Sequence, residues 1–309
     1  MPENKLTSHL NQNTPLATAV KSWEMYLADQ GRSPNTIKAF LSDVRLFTGF
    51  LPKNVAIGKV TTKEINRFVD WMEKERDVPS SPKTLARRIT SVKSMFRWLH
   101  QYGVLTIDPA EKVAARSAIS PLPTVLTPQE YDEVLLVADR HRRAEKPDAR
   151  YYALAYLLLT TGIKKSETLG LLLEHVELDA PNGPQIFIKY PTPANRYKER
   201  KLSLPEDWIP AYEEYLAQYQ RSTPQSGSVD NPEEKLFPWS PRRLEYLLED
   251  LSNEAGLTKH LSFDMCRWTC ALNDYRAGEE PDKIRQKLGV SKIQWRELFI
   301  KLKKLAGSN

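Results

Sequence analysis

Apolar residues recur at steps of three and four through the first hundred residues, and this spacing restricts the fold most strongly. In the segment that begins at Pro34, the apolar stripe consists of Ile37, Leu41, Val44, Phe47 and Leu51. In the segment that begins at Pro82, it consists of Leu85, Ile89, Val92, Phe96 and Leu99. An α-helix turns once every 3.6 residues, so each stripe lies on one face and indicates a helix packed on a core. The amino-terminal part is therefore predicted to be a helical domain.

Capping signals predict where these helices begin. Ser33 and Ser81 each precede a proline, and both residue types favour the first positions of a helix. Thr61 and Glu64 have the spacing of a capping box. The predicted helices span residues 21–30, 34–51, 62–75 and 82–101.

A polar stripe lies opposite the apolar stripe on the second and fourth helices. Its members are Lys38, Ser42, Arg45, Lys83, Arg87, Thr90, Ser94 and Arg97. Residues 1–124 contain 18 Lys and Arg against 11 Asp and Glu, whereas the remainder contains 27 against 28. The positive excess is thus confined to the first part, as expected of a module that binds a polyanion. An ordinary solvated helix face would have the same stripe, so both interpretations stay open at this point.

Alternating prolines at Pro121 and Pro123 predict an extended connector between two domains. The predicted organisation is a flexible segment 1–14, a helical domain 15–116, a linker 117–124 and a second domain 125–309. In the second domain the pattern predicts helices from 128 and over 151–159, then strands at 184–190 and 201–205. A surface loop is predicted over 222–234. The predicted fold class is mainly α with a small antiparallel β-sheet in the second domain.

Several classes of protein are excluded by simpler features. No run of eighteen apolar residues occurs, and residues 1–14 are polar, which predicts neither a membrane span nor a signal peptide. Cys266 and Cys270 are four residues apart, a spacing that suits neither a disulfide framework nor a four-ligand zinc site. The sequence therefore predicts no metal or cofactor, and a reducing cytoplasm is the simplest location.

The order of several motifs resembles the tyrosine recombinases of the phage integrase family. Residues 161–169 read TGIKKSETL, which is similar to the family's Thr-Gly-Leu-Arg-x-Ser-Glu-Leu. Arg267 is followed at steps of eleven, eleven and ten by Gly278, Gly289 and Phe299, as in the family's run from its second arginine to its tyrosine. Residues 33–37, 92–99, 108–110 and 122–127 resemble its amino-terminal domain and hinge. The resemblance implies a SAM-like helical core-binding domain followed by a tyrosine-recombinase catalytic-type domain.

The resemblance also assigns positions in the family's reaction, in which a tyrosine hydroxyl attacks a DNA phosphate. Two arginines hold the phosphate oxygens in that reaction, and a lysine protonates the leaving oxygen. By resemblance, Phe299 stands at the tyrosine position, Lys164 at the first arginine and Arg267 at the second. The leaving-group lysine and the two histidine positions correspond to Lys198, Asp264 and Val290. A phenyl ring has no nucleophilic oxygen, so the protein is predicted to be catalytically inactive.

Double-stranded DNA is the partner that the resemblance implies, held between the two domains. The predicted contacts are the eight residues of the polar stripe together with Lys164, Arg196, Lys198 and Arg267. Arg267 is expected to bind a phosphate or to hold the local fold through Asp264. Asp264 is expected to pair with Arg267 or Lys164, because its charge disfavours a phosphate in the same place.

The last predicted helix, 295–305, is amphipathic, and it either mediates self-association or docks on its own domain. The leading functional hypothesis is a DNA-binding protein of the cytoplasm and nucleoid. It would act as a transcriptional regulator or as an accessory factor for an active recombinase. A divergent recombinase that catalyses strand exchange is the alternative. A protein scaffold that does not bind DNA is a third hypothesis, which the basic stripe disfavours.

Overall fold

The computed structural model describes residues 7–76, 78–114, 121–222 and 234–307. The chain divides into two compact units, Met1–Pro121 and Leu122–Asn309. Of the predicted linker 117–124, only residues 121–124 lie in the described ranges. Most of the predicted loop 222–234 also lies outside them, because the described chain stops at residue 222 and resumes at 234.

The first unit is built from helices. Their bounds are α1 Leu16–Asp29, α2 Pro34–Phe50, α3 Thr62–Asp70 and α4 Pro82–Gln101. After Asp70 the chain continues into a π-helical turn, Trp71–Glu75, in which Arg76 N donates to Trp71 O at 3.1 Å. The third predicted helix is therefore divided into an α-helix and one wider turn.

The predicted helix starts at Pro34, Thr62 and Pro82 are confirmed. The hydroxyls of Ser33 and Ser81 accept hydrogen bonds from the third main-chain N–H after them, and Thr61 and Glu64 form the capping box. The start of α1 was predicted five residues too late. Leu16, Ala19 and Val20 are all buried, so the apolar face of α1 begins before Lys21.

Large aromatic residues fill the core of the first unit. The ring of Phe47 contacts those of Phe68 and Phe96 at centroid distances of 5.0 and 6.0 Å. Residues 7–14 pack on this unit as well, since Leu10 is buried and Gln12 O accepts a hydrogen bond from Gly58 N at 2.8 Å. The segment 1–14 was predicted to be flexible. Its described part is held in place by burial and main-chain hydrogen bonds.

The second unit combines helices with one small sheet. Its helices are α5 Pro128–Arg142, α6 Arg150–Thr161, α7 Lys165–Thr168, α8 Ile209–Ser222, α9 Pro241–Glu254, α10 Phe263–Arg276, α11 Pro281–Lys287 and α12 Lys292–Ala306. Its strands are β1 Val176–Glu177, β2 Gln185–Ile188 and β3 Arg200–Ser203. The predicted mainly α fold with a small antiparallel sheet in the second domain is confirmed.

Helix α6 forms the centre of the second unit. It is buried on nearly every side because α5, α8, α9 and α10 pack around it. The sheet has the order β1-β2-β3 and is antiparallel throughout, with Val176 opposite Ile186 and Ile188 opposite Arg200. Strand β3 thus places Arg200 at the end of the sheet where the chain leaves the β2–β3 connection.

Within the described ranges, no helix combines the length and the apolar character needed to cross a membrane. In the same ranges, no three His, Cys, Asp or Glu side chains are arranged to hold a metal ion. Cys266 and Cys270 lie on α10 as buried free thiols, and burial raises the pKa of each to about 12. Both thiols therefore stay protonated at neutral pH and serve as packing groups.

Candidate site around Arg267 and candidate DNA-binding surface

Arg267 lies in the second turn of α10, and its guanidinium binds two main-chain carbonyls. Nη1 donates to Gly162 O at 2.5 Å, and Nη2 donates to Leu288 O at 2.5 Å. Gly162 ends α6 and Leu288 ends α11, and burial lowers the pKa of Arg267. The side chain thus joins the ends of two helices. Arg267 was expected either to bind a phosphate or to hold the local fold through Asp264. It holds the local fold, but through main-chain carbonyls and not through Asp264.

Asp264 does not form the ion pair that was predicted for it. Its side chain is exposed in the first turn of α10 and has no ion-pair partner among the described residues. The prediction that Asp264 pairs with Arg267 or Lys164 was therefore wrong. The physical reason is that Glu167 supplies a buried carboxylate beside Lys164, while an exposed Asp264 stays hydrated at the positive end of its helix.

Lys164, which the resemblance assigns to the family's first-arginine position, is half-buried and bound to other groups of the second unit. Its Nζ donates to Gly289 O at 3.2 Å and lies 3.5 Å from Glu167 Oε1. Burial lowers the pKa of Lys164, Glu167 opposes this shift, and the charges of Arg267 and Arg200 add to it. The ammonium is therefore largely balanced by groups of the fold itself.

A buried carboxylate, Glu167, connects the strand β3 to the short helix α7. Arg200 donates to it in bidentate fashion, with Nη1 at 3.0 Å from Oε1 and Nη2 at 3.0 Å from Oε2. The Tyr190 hydroxyl and Lys164 N also donate to it. Burial by itself raises the pKa of Glu167, but Arg200 and then the other two donors outweigh burial and lower the pKa to about 2. Glu167 is therefore ionised over the whole physiological range.

Arg200 extends this network to the turn after α11. Its Nε donates to Lys287 O at 2.5 Å, and Nη1 also donates to Lys198 O at 3.1 Å. Gly289 has φ +57°, and a Cβ built on it would lie 2.6 Å from Arg200 Nη1. Only glycine fits this conformation and this close approach.

Phe299, which the resemblance assigns to the family's tyrosine position, is part of an aromatic cluster. Its ring stacks on Trp295 at a centroid distance of 5.5 Å and meets Tyr275 edge-on at 5.9 Å. Lys303 Nζ lies 5.0 Å from the centroid of the same ring. Val290 is buried in the neighbouring apolar cluster. Both residues therefore pack in the fold and offer no oxygen or proton.

A cavity of about 70 Å³ lies beside Arg267. Its lining consists of Asp264, Arg267, Trp268, Ala271, Leu288, Trp295, Leu298 and Leu302. None of these side chains carries a hydroxyl. The nearby hydroxyl of Ser291 caps α12 by accepting from Gln294 N at 3.3 Å.

Helix α12 docks on its own unit. Leu302 is buried, and the helix packs on α10 and α11 through the cluster that contains Ala271, Ile284 and Leu288. On the outer face, Ile293 and Ile300 are 80% and 53% exposed. The structure thus shows docking on its own domain, and self-association through residues 295–305 stays a prediction.

The lysine-bearing turn between β2 and β3 is a 3₁₀ segment, Pro193–Lys198. Lys198 Nζ donates to Asn195 Oδ1 at 2.8 Å, and Arg196 is exposed. Lys198 is therefore fixed beside the start of β3. His260, four residues before Asp264, is exposed before α10 begins.

The predicted DNA-contact residues of the first unit form one exposed set, here called the α2–α4 surface. Seven are exposed and Ser94 is half-buried, and the seven are Lys38, Ser42, Arg45, Lys83, Arg87, Thr90 and Arg97. Arg45 lies 3.8 Å from Glu24, whereas Lys38, Lys83 and Arg97 have no hydrogen-bond or ion-pair partner among the described residues. These three cations are the ones available to phosphates.

Arg87 has a second role within the first unit. Its Nη1 donates to Asp43 Oδ2 at 2.5 Å, and the Asp43 side chain is only 2% exposed. Ser91 Oγ donates to the same carboxylate at 2.8 Å. Removal of Arg87 would take one ion-pair partner from the buried Asp43 carboxylate. A substitution at Arg87 would therefore change the fold as well as the surface.

Residues 20–103 match the phage integrase N-terminal SAM-like domain, and residues 124–303 match the phage integrase family. The second match alone covers more than half of the chain. The chain belongs to the phage integrase family. The resemblance found in the sequence is thus confirmed at the level of the family.

Two named tyrosine recombinases of bacteria align over nearly the whole chain. The tyrosine recombinase XerC of Roseiflexus castenholzii is 27% identical over 92% of this chain and 88% of its own length. The tyrosine recombinase XerD of Listeria innocua is 23% identical over 90% of this chain and 92% of its own length.

Solved structures of the phage integrase family show the same fold. The XerH site-specific recombinase bound to its difH substrate after cleavage has a TM-score of 0.71 at 16% identity, covering 94% of this chain and 80% of that chain. A lambda integrase dimer bound to a COC′ core site has a TM-score of 0.68 at 16% identity, covering 95% of this chain and 80% of that chain. The predicted two-part integrase fold is confirmed by this likeness.

Two site residues of this phage integrase family member were missed by the sequence analysis. Glu167 lies inside the motif at 161–169, and Arg200 follows the candidate lysine Lys198 by two positions. Their ion pair joins residues 33 positions apart, so no local spacing indicates it. The available signal was chemical, because an arginine directly before the predicted strand 201–205 requires a carboxylate partner when it is buried.

Proposed function

We propose that this protein binds double-stranded DNA and neither cuts nor rejoins it. The proposal is carried by Phe299, which the resemblance places at the nucleophile position, together with the absence of a hydroxyl from the side chains that line the Arg267 cavity. The family's transesterification at a phosphate uses a hydroxyl as the nucleophile, and the lining of this cavity does not supply one. Lys164 and Arg267 are also bound to groups of the fold, so neither is free to clamp a phosphate.

The proposed DNA contacts are the α2–α4 surface together with Arg196 and Lys198 of the second unit. Lys164 and Arg267, also predicted as DNA contacts, are engaged within the fold. The relatives support this partner, because two of the similar structures are recombinases bound to DNA. Acting in the cytoplasm on the nucleoid, such a protein would serve as a transcriptional regulator or as an accessory factor for an active recombinase.

Strand exchange is the second candidate function, and the names of the relatives favour it. A nicked DNA duplex distinguishes the two candidate functions. Its sequence is that of a genomic fragment that the protein binds tightly. The wild-type protein is expected to form no covalent adduct on a denaturing gel, while an active family member on its own site serves as the positive control. A covalent adduct with the wild-type protein would establish the enzyme instead.

The substitution Phe299→Tyr is expected not to restore cleavage of the same nicked substrate. A new hydroxyl at position 299 would join the Trp295 and Tyr275 cluster, while Arg267 stays bound to its two carbonyls. Adduct formation by this variant above the wild-type background would show that the remaining positions are still competent for catalysis.

The substitution Arg97→Gln is expected to weaken DNA binding several-fold. It is also expected to reduce the magnitude of the negative slope of log affinity against log salt by ~0.9. Arg97 is exposed on α4 and has no described partner, so the change removes a phosphate contact and leaves the fold intact. Fluorescence anisotropy at several salt concentrations measures both quantities.

The matched control is Lys53→Gln, which removes an exposed cation from the loop after α2 and is expected to leave the slope unchanged. Equal slopes for the wild type and Arg97→Gln would contradict the assignment of the α2–α4 surface. Arg87 is a poorer choice because Asp43 depends on it.

A further inference from the structure

A large aromatic ring is exposed in the turn between β2 and β3. Tyr197 is 70% exposed within the 3₁₀ segment Pro193–Lys198. Lys198 Nζ lies 5.1 Å from the centroid of its ring, and Asn195 holds that ammonium at 2.8 Å. Arg196, the residue before Tyr197, is also exposed. The turn therefore presents an aromatic ring between two cations.

This turn forms one wall of an open cleft of about 490 Å³. The opposite wall is the end of α11 and the start of α12. The lining consists of Tyr197, Lys198, Glu199, Arg200, Arg285, Gln286, Gly289, Val290, Ser291 and Lys292. A cleft of this size is within the range of sites that hold a small planar ligand.

The cations of the cleft differ in how far the fold already uses them. Arg200 is bound to Glu167, and Arg285 is bound to Asp282 with Nε at 2.7 Å from Oδ1. Lys198 and Lys292 form no ion pair with a carboxylate among the described residues. The carboxylate of Glu199 accepts a hydrogen bond from Tyr190 N at 3.0 Å. Two ammonium groups in the same cleft as the ring are thus available to anions.

We infer that this cleft binds an unpaired nucleobase of DNA, with Tyr197 stacked on the base and Lys198 and Lys292 on the flanking phosphates. Aromatic side chains stack on any base, because every base has a flat π face, and neighbouring cations follow the backbone. A base inside a paired duplex is covered by its neighbours and offers no face to the ring. This inference rests on the proposed DNA binding and adds the class of DNA that the second unit recognises.

The test compares a short duplex that contains one unpaired 2-aminopurine with the same duplex fully paired. The wild-type protein is expected to quench 2-aminopurine fluorescence and to bind the bulged duplex more tightly. Tyr197→Ala is expected to lose the quenching and to weaken binding of the bulged duplex by at least about fivefold. Its affinity for the paired duplex should be unchanged, and Tyr197→Phe should retain the quenching.

The matched control is Tyr246→Ala, because Tyr246 is exposed on α9 with Arg242 5.4 Å from its ring centroid but lies outside the cleft. That variant is expected to behave as the wild type. Equal quenching by the wild type and Tyr197→Ala, with salt-sensitive binding of paired duplex retained, would overturn this inference and leave the proposed function standing. A wild-type protein that binds neither duplex would overturn both.

Discussion

The substitution Glu167→Ala is expected to lower the free energy of unfolding by about 3–5 kcal/mol, because it removes one partner of a buried ion pair. Glu167 is 5% exposed and accepts two hydrogen bonds from Arg200. Without this carboxylate, the buried guanidinium of Arg200 loses its ion-pair partner, and the half-buried ammonium of Lys164 loses the carboxylate 3.5 Å from it. Urea unfolding at neutral pH, followed by circular dichroism, measures the loss.

The same carboxylate gives the stability of the second unit a pH dependence with a defined sign. The pKa of Glu167 is about 2 in the folded protein, below the ordinary 4.5. A lowered pKa stabilises the fold above about pH 4.5, and this contribution is lost as the pH falls towards 2. The shift corresponds to about 3 kcal/mol. The difference in stability between the wild type and Glu167→Ala should therefore shrink over this interval.

The control for this experiment is Glu245→Ala, which breaks the exposed ion pair with Lys165 on the same short helix α7. Exposed pairs contribute less than about 1 kcal/mol, so a small effect is expected. If the two variants lost the same free energy of unfolding, the buried network around Glu167 would stabilise the fold no more than an exposed ion pair does.

The substitution Gly289→Ala is expected to destabilise the second unit by about 2–5 kcal/mol, from backbone strain and steric overlap together. The left-handed backbone of Gly289 disfavours any side chain, and the new Cβ would lie 2.6 Å from Arg200 Nη1. Arg200 would have to move, and it is bound to both Glu167 and Lys287 O. Thermal and urea unfolding measure the total effect.

Gly256→Ala separates the two contributions, because Gly256 has φ +67° and nothing lies within 4 Å of its Cβ position. This variant is expected to lose only the backbone part, about 1–2 kcal/mol. A Gly289→Ala protein as stable as Gly256→Ala would mean that Arg200 moves at no cost in free energy. That result would contradict the role of its hydrogen bonds to Glu167 and Lys287 O.

Local signals in the sequence were sufficient to predict most of the helical framework. The capping residues Ser33, Thr61 and Ser81 fix helix starts through hydrogen bonds to residues only a few positions away, so the sequence contains the whole interaction. The start of α1 and the π-helical turn at Trp71–Glu75 depend on packing against other helices, and no local pattern indicates them. Strand β1 is two residues long and exists only through its pairing with β2.

The sequence indicated some members of the candidate site but not Glu167 or Arg200, and it indicated none of the contacts. Motif spacing located Lys164, Arg267 and Phe299 because the order of residues along the chain is enough to align them with a family. It gave no information on which groups each side chain binds. Asp264 was assigned a partner from its family position and its charge, whereas the structure gives Lys164 the more buried Glu167. Charges in a folded interior are paired by tertiary structure, which a single sequence does not display.

The bonds of Arg267 to Gly162 O and Leu288 O have a consequence for local motion in the second unit. One guanidinium satisfies the last carbonyls of α6 and α11, which would otherwise lack partners when buried. Each helix end is held by a separate hydrogen bond from the same side chain, so displacement of Arg267 would release both. The two termini are therefore coupled through one residue, although Gly162 and Leu288 lie 126 positions apart in the sequence.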